Sequence, residues 1–443
     1  MKRRMIFNGP ALLAAGLLFA FLSCATSPKA YEEVDAAFRS GSYEKALAVL
    51  NDDKSKVRKT NYPSKNEILL YLDRGMIAHY AGQHKDSSQD LETAERLIEE
   101  AFTKSITQAI GSYILNDNTK DYAGEDYEDL YTNVFNALNY YHNNDLEGAL
   151  VEIRRLNEKL QYLADKYERA KKKVLDSNDQ VDPRQLPMEA SRFSNSALAR
   201  YLGILFYRAI GKADDVRIDY EEFLRAYELA PEVYSNLVPS SVADELSVPP
   251  GKGRLNLIAF TGLSPVKEEQ NILIPLPLPF PNNFARLEFP KMVNRANSVQ
   301  RAEVVLDNGE RFPLELVENM SAVAEETFKS RLGLIILKTT LRTIIKNTAS
   351  ITASAAVTKS SNEGFGFLAG VVGKVITEAS EKADTRLSRY FPSHALVGGI
   401  NLEPGNTTVT VNFYGSGGLI SSERREVRAR ENTLNLEEFI CLR

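Results

Sequence analysis

Apolar positions recur at helical spacing from Tyr31 to Pro231 and at alternating spacing beyond residue 253. In YEEVDAAFRSGSYEKALAVL (31–50), Ala37, Phe38, Tyr43, Ala46, Leu47 and Leu50 line helical faces on either side of Gly41, predicting two short helices and a turn. The cue returns in AHYAGQHKDSSQDLETAERLI (78–98), ALNYYHNNDLEGALVEIRRL (137–156) and LFYRAIGKADDVRIDYEEFLRAYELAP (205–231). The stretch 230–253 is punctuated by Pro231, Pro239, Pro249, Pro250, Gly251 and Gly253, which predicts a linker. Strands are predicted at 254–260, 302–306, 312–316, 397–402 and 407–413, with Asn308-Gly309 as a hairpin turn. ILIPLPLPFP (272–281) carries a proline at every second position, which excludes a central strand and predicts an edge or an extended arm.

Residues 320–390 interrupt the strands with a helical pattern. FKSRLGLIILKTTLRTIIKN (328–347) is apolar around most of its circumference, with Arg331, Lys338, Arg342 and Lys346 on one stripe. GFGFLAGVVGKVI (364–376) follows, with glycines that permit close backbone approach. Two readings stand. The segment 328–377 is either an insertion packed on the sheet with its cations snorkelling outward, or a hairpin that enters a bilayer or grips a partner helix. Neither half alone reaches spanning length.

Small residue, glycine turn, aromatic and alanine in this order resemble a tetratricopeptide-type helical hairpin. The turn residues Gly41, Gly82, Asn144 and Gly211 are 41, 62 and 67 apart, whereas a strict array repeats every 34. Degenerate hairpins are therefore expected, with an unrelated helical bundle as the alternative. The expected fold class is α+β and multidomain, with tetratricopeptide-like hairpins at 31–235 and a linker at 236–253. A small β-sandwich at 254–443 would carry the helical insertion at 320–390. Stacked hairpins leave a concave surface suited to extended partners.

The beginning of the chain changes the picture of where it works. Lys2, Arg3 and Arg4 precede an apolar run of twelve residues, Ala11–Leu22. That is short for a bilayer span of about twenty residues and fits the core of a secretory signal. Phe21-Leu22-Ser23-Cys24 resembles the lipobox of bacterial lipoproteins, with Phe21 where leucine is usual. The resemblance implies that residues 1–23 are removed, that Cys24 is acylated, and that 24–30 is a tether. Acyl chains hold a membrane by about 0.8 kcal/mol per buried CH₂. The expected location is the cell envelope, anchored to the periplasmic face of the outer membrane, since Ala25 replaces the aspartate that retains many lipoproteins on the inner one. An ordinary signal with an incidental cysteine is the alternative.

Net charge is −5, and −8 once residues 1–23 with their three cations and no acids are gone. A mildly acidic chain without a long basic run argues against nucleic acid as a partner. Cys441 is the one other cysteine, so no internal disulfide is expected after acylation. His79, His84, His142 and His394 show no metal-ligand spacing, and there is neither a G-x-S-x-G elbow nor a P-loop. No cofactor and no catalytic residue is expected.

Asp121-Tyr122-Ala123-Gly124-Glu125-Asp126-Tyr127-Glu128-Asp129 alternates acids with aromatics before a helix. Acids at a helix N-terminus complement the macrodipole, but tyrosines and a glycine among them exceed that need. Tyr122, Glu125, Asp126 and Tyr127 are therefore candidate protein-binding residues, at least two of the four expected to be solvent-accessible beside the helical concavity. Glu125 and Glu128 could alternatively act as an acid–base pair. Glu152, Arg154 and Arg155 are expected to pair with these acids across the hairpin.

DYAGEDYEDLYTNVFNALNYY followed by DLEGALVEIRRLNEKL (121–160) resembles the central motif of an uncharacterised family of bacterial lipoproteins with tetratricopeptide-like helices. Members are commonly encoded beside penicillin-binding-protein activator lipoproteins. EKADTRLSRYFPSHALVGGINLEPGNTTVTV (381–411) is similar to that family's second conserved segment, with Phe391-Pro392 where Leu-Pro is usual. Asp384 and Arg386 in it form a candidate structural pair. The resemblance implies a non-catalytic, membrane-anchored scaffold that binds an envelope protein or peptide, with peptidoglycan synthesis as the context by association. A membrane-active protein using 328–377 and an unrecognised envelope enzyme are the alternatives.

Overall fold

The computed structural model describes residues 31–107, 120–176, 182–275, 284–358 and 383–443. Residues 1–30, expected to hold a signal and a tether, the proline-rich residues 276–283 and the glycine-rich 364–376 lie outside the described residues.

The protein is α+β, with a largely helical first part and a curled sheet after it. Among the described residues, four antiparallel pairs build the helical part: α1 (Glu32–Arg39) with α2 (Tyr43–Asn51), α4 (Glu67–Tyr80) with α5 (His84–Thr107), α6 (Asp126–His142) with α7 (Leu146–Asp176), and α8 (Ala197–Ala209) with α9 (Ala213–Leu229). A short α3 (Lys56–Asn61) fills the gap after the first pair. The turns are one device used four times. Gly41, Gly82, Asn144 and Gly211 sit at φ +73°, +72°, +61° and +73°. The next residue's N–H reaches back five positions in each, as Ser42 to Ala37 O, Gln83 to Ala78 O, Asp145 to Tyr140 O and Lys212 to Tyr207 O. That is a Schellman closure, which needs a left-handed residue and so selects glycine or asparagine. Successive pairs lean on each other through α2 with α4, α5 with α6, and α7 with α8.

Strands β1 (Gly253–Leu263), β4 (Arg301–Leu306), β5 (Arg311–Asn319), β6 (Pro392–Leu402), β7 (Gly405–Gly415), β8 (Gly418–Ala429) and β9 (Asn435–Cys441) form one sheet, ordered β8-β7-β4-β5-β6-β1-β9. Every pairing is antiparallel except β1 with β9. The sheet curls until its outer strands approach: Arg425 of β8 lies 3.6 Å from Glu437 of β9 and 4.4 Å over the Phe439 ring. Its concave face is lined from within by Leu255, Leu257, Val304, Val411, Phe413 and Phe439. Asn308-Gly309 makes the expected tight turn, with Gly309 at φ +86°.

β2 (Val266–Pro275) and β3 (Phe284–Val293) pair only with each other, so the proline-rich run starts in a separate ribbon. α10 (Met320–Thr358) follows β5 and packs on α6, α7, β3 and β6. Its Leu334, Ile336, Leu337, Leu341 and Ile344 share a core with Tyr167 and Val174 of α7 and Phe289 of β3. The cationic stripe corrects one expectation. Arg342 is 1 % exposed and Arg331 turns inward to Glu125, so these two do not snorkel to water. Among the described residues, no helix is long and apolar enough to cross a membrane.

The principal core is continuous across helices and sheet. Phe135 of α6 lies 5.0 Å from Phe260 of β1, and Val317, Tyr390, Phe391, Val397 and Leu436 belong to the same cluster. The stretch expected as a linker is fastened too: Glu245 meets Arg208 of α8 at 3.0 Å, and accepts from Asn256 at 2.7 Å and from Arg254. Prolines and glycines there mark turns in a docked segment.

Candidate functional site

The acidic–aromatic segment is the seam where the fold is joined. Gly124 takes φ +73°, and a Cβ there would come within 2.6 Å of Ile98. The turn delivers Glu125 to the N-cap of α6, where Glu128 Oε2 accepts from the Glu125 N–H at 2.7 Å in a capping box. Glu128 also accepts from the Tyr122 hydroxyl at 2.7 Å and from the Ser388 N–H at 2.6 Å. Burial first, and then the Glu125 charge, push the Glu128 carboxyl up to about 7.

Tyr122, Glu125, Asp126 and Tyr127 are 1 %, 3 %, 5 % and 1 % exposed. The expectation of an accessible recognition surface is overturned by that burial. The acids turn inward because cations from elsewhere meet them. Lys267 and Arg331 flank Glu125, the latter at 3.2 Å. Lys166 reaches Asp126 at 2.7 Å, beside the Tyr167 hydroxyl at 2.5 Å, and Lys159 reaches Asp129 at 2.7 Å. Glu152, Arg154 and Arg155, expected to serve these acids, do other work. Arg155 pairs with Glu152 at 2.9 Å and Glu95 at 3.8 Å, Glu152 accepts from Asn133 at 2.7 Å, and Arg154 lies against Tyr207. Glu128 is wholly buried and Glu125 is held by two cations, so the pair has no face for a substrate.

The second segment meets the first. Asp384 and Arg386 pair at 2.7 Å as expected, and Arg386 donates to Lys120 O and Asn66 Oδ1, each at 3.0 Å. Ser388 donates its hydroxyl to Asp73 at 2.7 Å, where the Tyr62 hydroxyl also bonds at 2.7 Å. Arg389 and the Tyr390 hydroxyl hold Asp35 of α1. Segment 383–391 thus threads between α1, α4 and α6.

A further buried carboxylate comes from a bulge in β5. The register against β6 shifts between Leu316 and Glu318, turning Glu318 toward the helices. Tyr131, Tyr234 and Ser196 hydroxyls bond to it at 2.7, 2.5 and 2.9 Å, and the Leu198 N–H at 3.2 Å. No periodicity in the sequence marks Glu318.

Histidines scattered in sequence also converge. His79, His84 and His142 gather with Asn139 around Glu438 of β9, and His84 stacks on His142 with ring centres 4.2 Å apart. His394 stays apart, 3.0 Å from Asn297 Nδ2. Among the described residues, no group of three or more His, Cys, Asp or Glu side chains is arranged to hold a metal ion. A cleft of about 330 Å³ lies between the α8–α9 turn, the 245–254 segment and the β8–β9 turn. Arg208 and Arg254 in its wall pair with Glu245, also in the wall, and Lys252 pairs with Glu403 outside it.

Comparison with family models, with curated proteins and with solved structures finds no match to this chain.

Proposed function

We propose that the protein is a lipid-anchored, non-catalytic scaffold of the bacterial cell envelope. The observation that carries this reading is Cys24 at the border of a twelve-residue apolar run that follows three cations and precedes Ala25-Thr26-Ser27-Pro28. The acyl chains would hold the body at the membrane and leave it in the aqueous space, on the periplasmic side of the outer membrane. An envelope protein or peptide is the partner, with peptidoglycan-synthesis machinery as the context that the family resemblance suggests.

The helical pairs support the tetratricopeptide-like part of the reading: four identical turns, and each pair leaning on the next. The apolar interior that the curled sheet encloses supports reading the second part as sandwich-like. The partner surface is assigned to the outward faces of the helical pairs, because the acidic–aromatic segment is spent inside. The membrane-active alternative has less support, since the described part of 328–344 is occupied with α7 and β3.

Labelling cells with a palmitate analogue tests the anchor. Wild type takes up label and Cys24→Ala does not; equal labelling of the two refutes the reading. Flotation of unacylated protein with liposomes tests the alternative, because a scaffold without lipid remains in the soluble fraction.

A further inference from the structure

Three elements run past the start of α6 and go on together. β2 passes it at Lys267, which meets Glu125, and continues for eight residues to Pro275. α10 passes it at Arg331, 3.2 Å from Glu125, and α7 at Tyr167, 2.5 Å from Asp126. Beyond that point they share one core, with Ala170 and Val174 of α7, Leu337, Leu341 and Ile344 of α10, and Ile274 of β2. From Arg331 to Ile344 is thirteen residues of helix, so this lobe stands about 20 Å off the helical pairs.

The chain enters the fold at the same end. Tyr31 packs 5.9 Å from Tyr62, just before α4, and Phe38 packs 5.8 Å from Tyr80 at the end of α4, so α1 runs in the direction of α4. α4 in turn starts beside the start of α6, where the Tyr122 N–H donates to Lys65 O at 2.7 Å. α6 and α8 run the same way: Tyr131 and Ser196 meet at Glu318 near their starts, and Tyr141 and Phe206 lie 6.2 Å apart near their ends. α1 thus begins on the side toward which the lobe projects, and the four hairpin turns lie at the opposite end. Seven residues separate Cys24 from Tyr31 and span at most about 25 Å. A surface within reach of that tether is within reach of the lobe.

Charge sets the lobe apart as well. Across 166–176, 331–344, 270–275 and 284–289 there are nine cations and three acids, in a chain whose net charge is −5. Lys166 and Arg331 are spent on Asp126 and Glu125, and the end of α5 beside the lobe, 99–107, adds two acids and one cation; an excess of three positive charges remains. Arg169, Lys172 and Lys173 are exposed on the last turns of α7, and Leu273, 60 % exposed, stands opposite Arg286 on the ribbon.

We propose that this lobe is the face the anchored protein sets against an anionic lipid surface, its cations at the headgroups and the hairpin turns directed away from the lipid. The proposal rests on Cys24 as the anchor. Each cation near an anionic surface raises occupancy about fivefold, so three hold an untethered chain poorly and the tether is the second signal that makes the contact stable.

The sequence has no tryptophan, so Leu273→Trp and Leu246→Trp each carry a single indole, one on the lobe and one in the cleft beside the α8–α9 turn. Each chain, beginning at Cys24, is coupled through that thiol to a maleimide phospholipid, while Cys441 is buried. The vesicles are three parts phosphatidylcholine to one part phosphatidylglycerol, with acyl chains brominated near the headgroup. Coupling supplies the anchor whether or not cells acylate Cys24, so failure here is distinct from failure of the palmitate labelling. The lobe indole is quenched and the cleft indole is not. Arg169→Gln with Lys172→Gln, shown to be folded by circular dichroism, lowers the bound-to-free ratio about 25-fold, and vesicles of phosphatidylcholine alone or high salt abolish the quenching. Equal quenching of the two indoles overturns the proposal, as does quenching indifferent to salt and to the two substitutions. Absence of quenching at position 273 overturns it too, and is the result given by a lobe covered by a second copy or by a protein partner.

Discussion

Glu318 offers the sharpest test of how the helical part and the sheet are joined. Its carboxylate is fully buried, has no cation among the partners described above, and collects the Tyr131, Tyr234 and Ser196 hydroxyls and the Leu198 N–H. In Glu318→Ala, Tyr234 can fall back on Asn195 O at 3.4 Å, but the Tyr131 and Ser196 protons and the Leu198 N–H lose their acceptor. Two or three stranded buried donors at about 1–3 kcal/mol each give a loss of about 3–6 kcal/mol. That is a large share of the ~5–15 kcal/mol that holds a typical domain. Glu318→Gln keeps one acceptor oxygen and should lose about 1–2 kcal/mol, and Tyr131→Phe about 1 kcal/mol. Urea unfolding followed by circular dichroism at pH 7 measures all three. In the double variant Glu318→Ala/Tyr131→Phe, the two losses should fall short of additive by about 1 kcal/mol, because they share a bond. Glu318→Ala within about 1 kcal/mol of wild type would refute the reasoning, since the bulge would then turn a carboxylate inward to no effect.

Three further outcomes are expected. Tyr122→Ala and Tyr127→Ala each lose about 3–5 kcal/mol in thermal or urea unfolding, as large buried rings do; near-neutral changes would contradict the burial of the segment. Glu128 sits at about 7 in the fold against 4.5 when free, so its contribution is full below pH 4.5 and is lost as pH rises through 7. Glu128→Gln should flatten the fall in stability between those values, and an unchanged slope in unfolding free energy against pH would remove the assignment. Gly82→Ala has open space around the new Cβ but keeps φ at +72°, so it should cost about 1–2 kcal/mol by backbone strain alone; a neutral change would show that the turn can relax.

The helical pairs were legible because each is announced locally, by a small left-handed residue between two apolar stripes. Asn144 was as readable as the three glycines, since asparagine tolerates the same conformation. Strands β1, β4, β5, β6 and β7 were legible from alternation, whereas β8 was not. Its SSERREVRA run is charged on the side that faces water, as suits an outer strand, and hides the Val427 and Ala429 that face in. The acidic–aromatic segment announced itself as unusual, but the direction it faces was read wrongly. What turns Glu125 and Asp126 inward is a set of cations at Lys166, Lys267 and Arg331, up to 206 residues away in sequence, and no periodicity records such a pairing. The same holds for His79 and Glu438, which meet across 359 positions.

The buried charges of α6 also set an order of assembly. A growing chain makes α6 long before Lys267, Arg331 and Ser388, and before Glu438 can reach His79. Until those arrive, Glu125 and Glu128 have to stay in water, and the start of α6 cannot be enclosed by its own helical neighbours without stranding them. The first half of the protein is thus denied early completion, and its apolar faces stay open until the last strands add to β1. A topology so dominated by distant pairings folds slowly and late. In a cell it would depend on a chaperone for the interval, and a chain cut after the helical pairs should be recovered as aggregate.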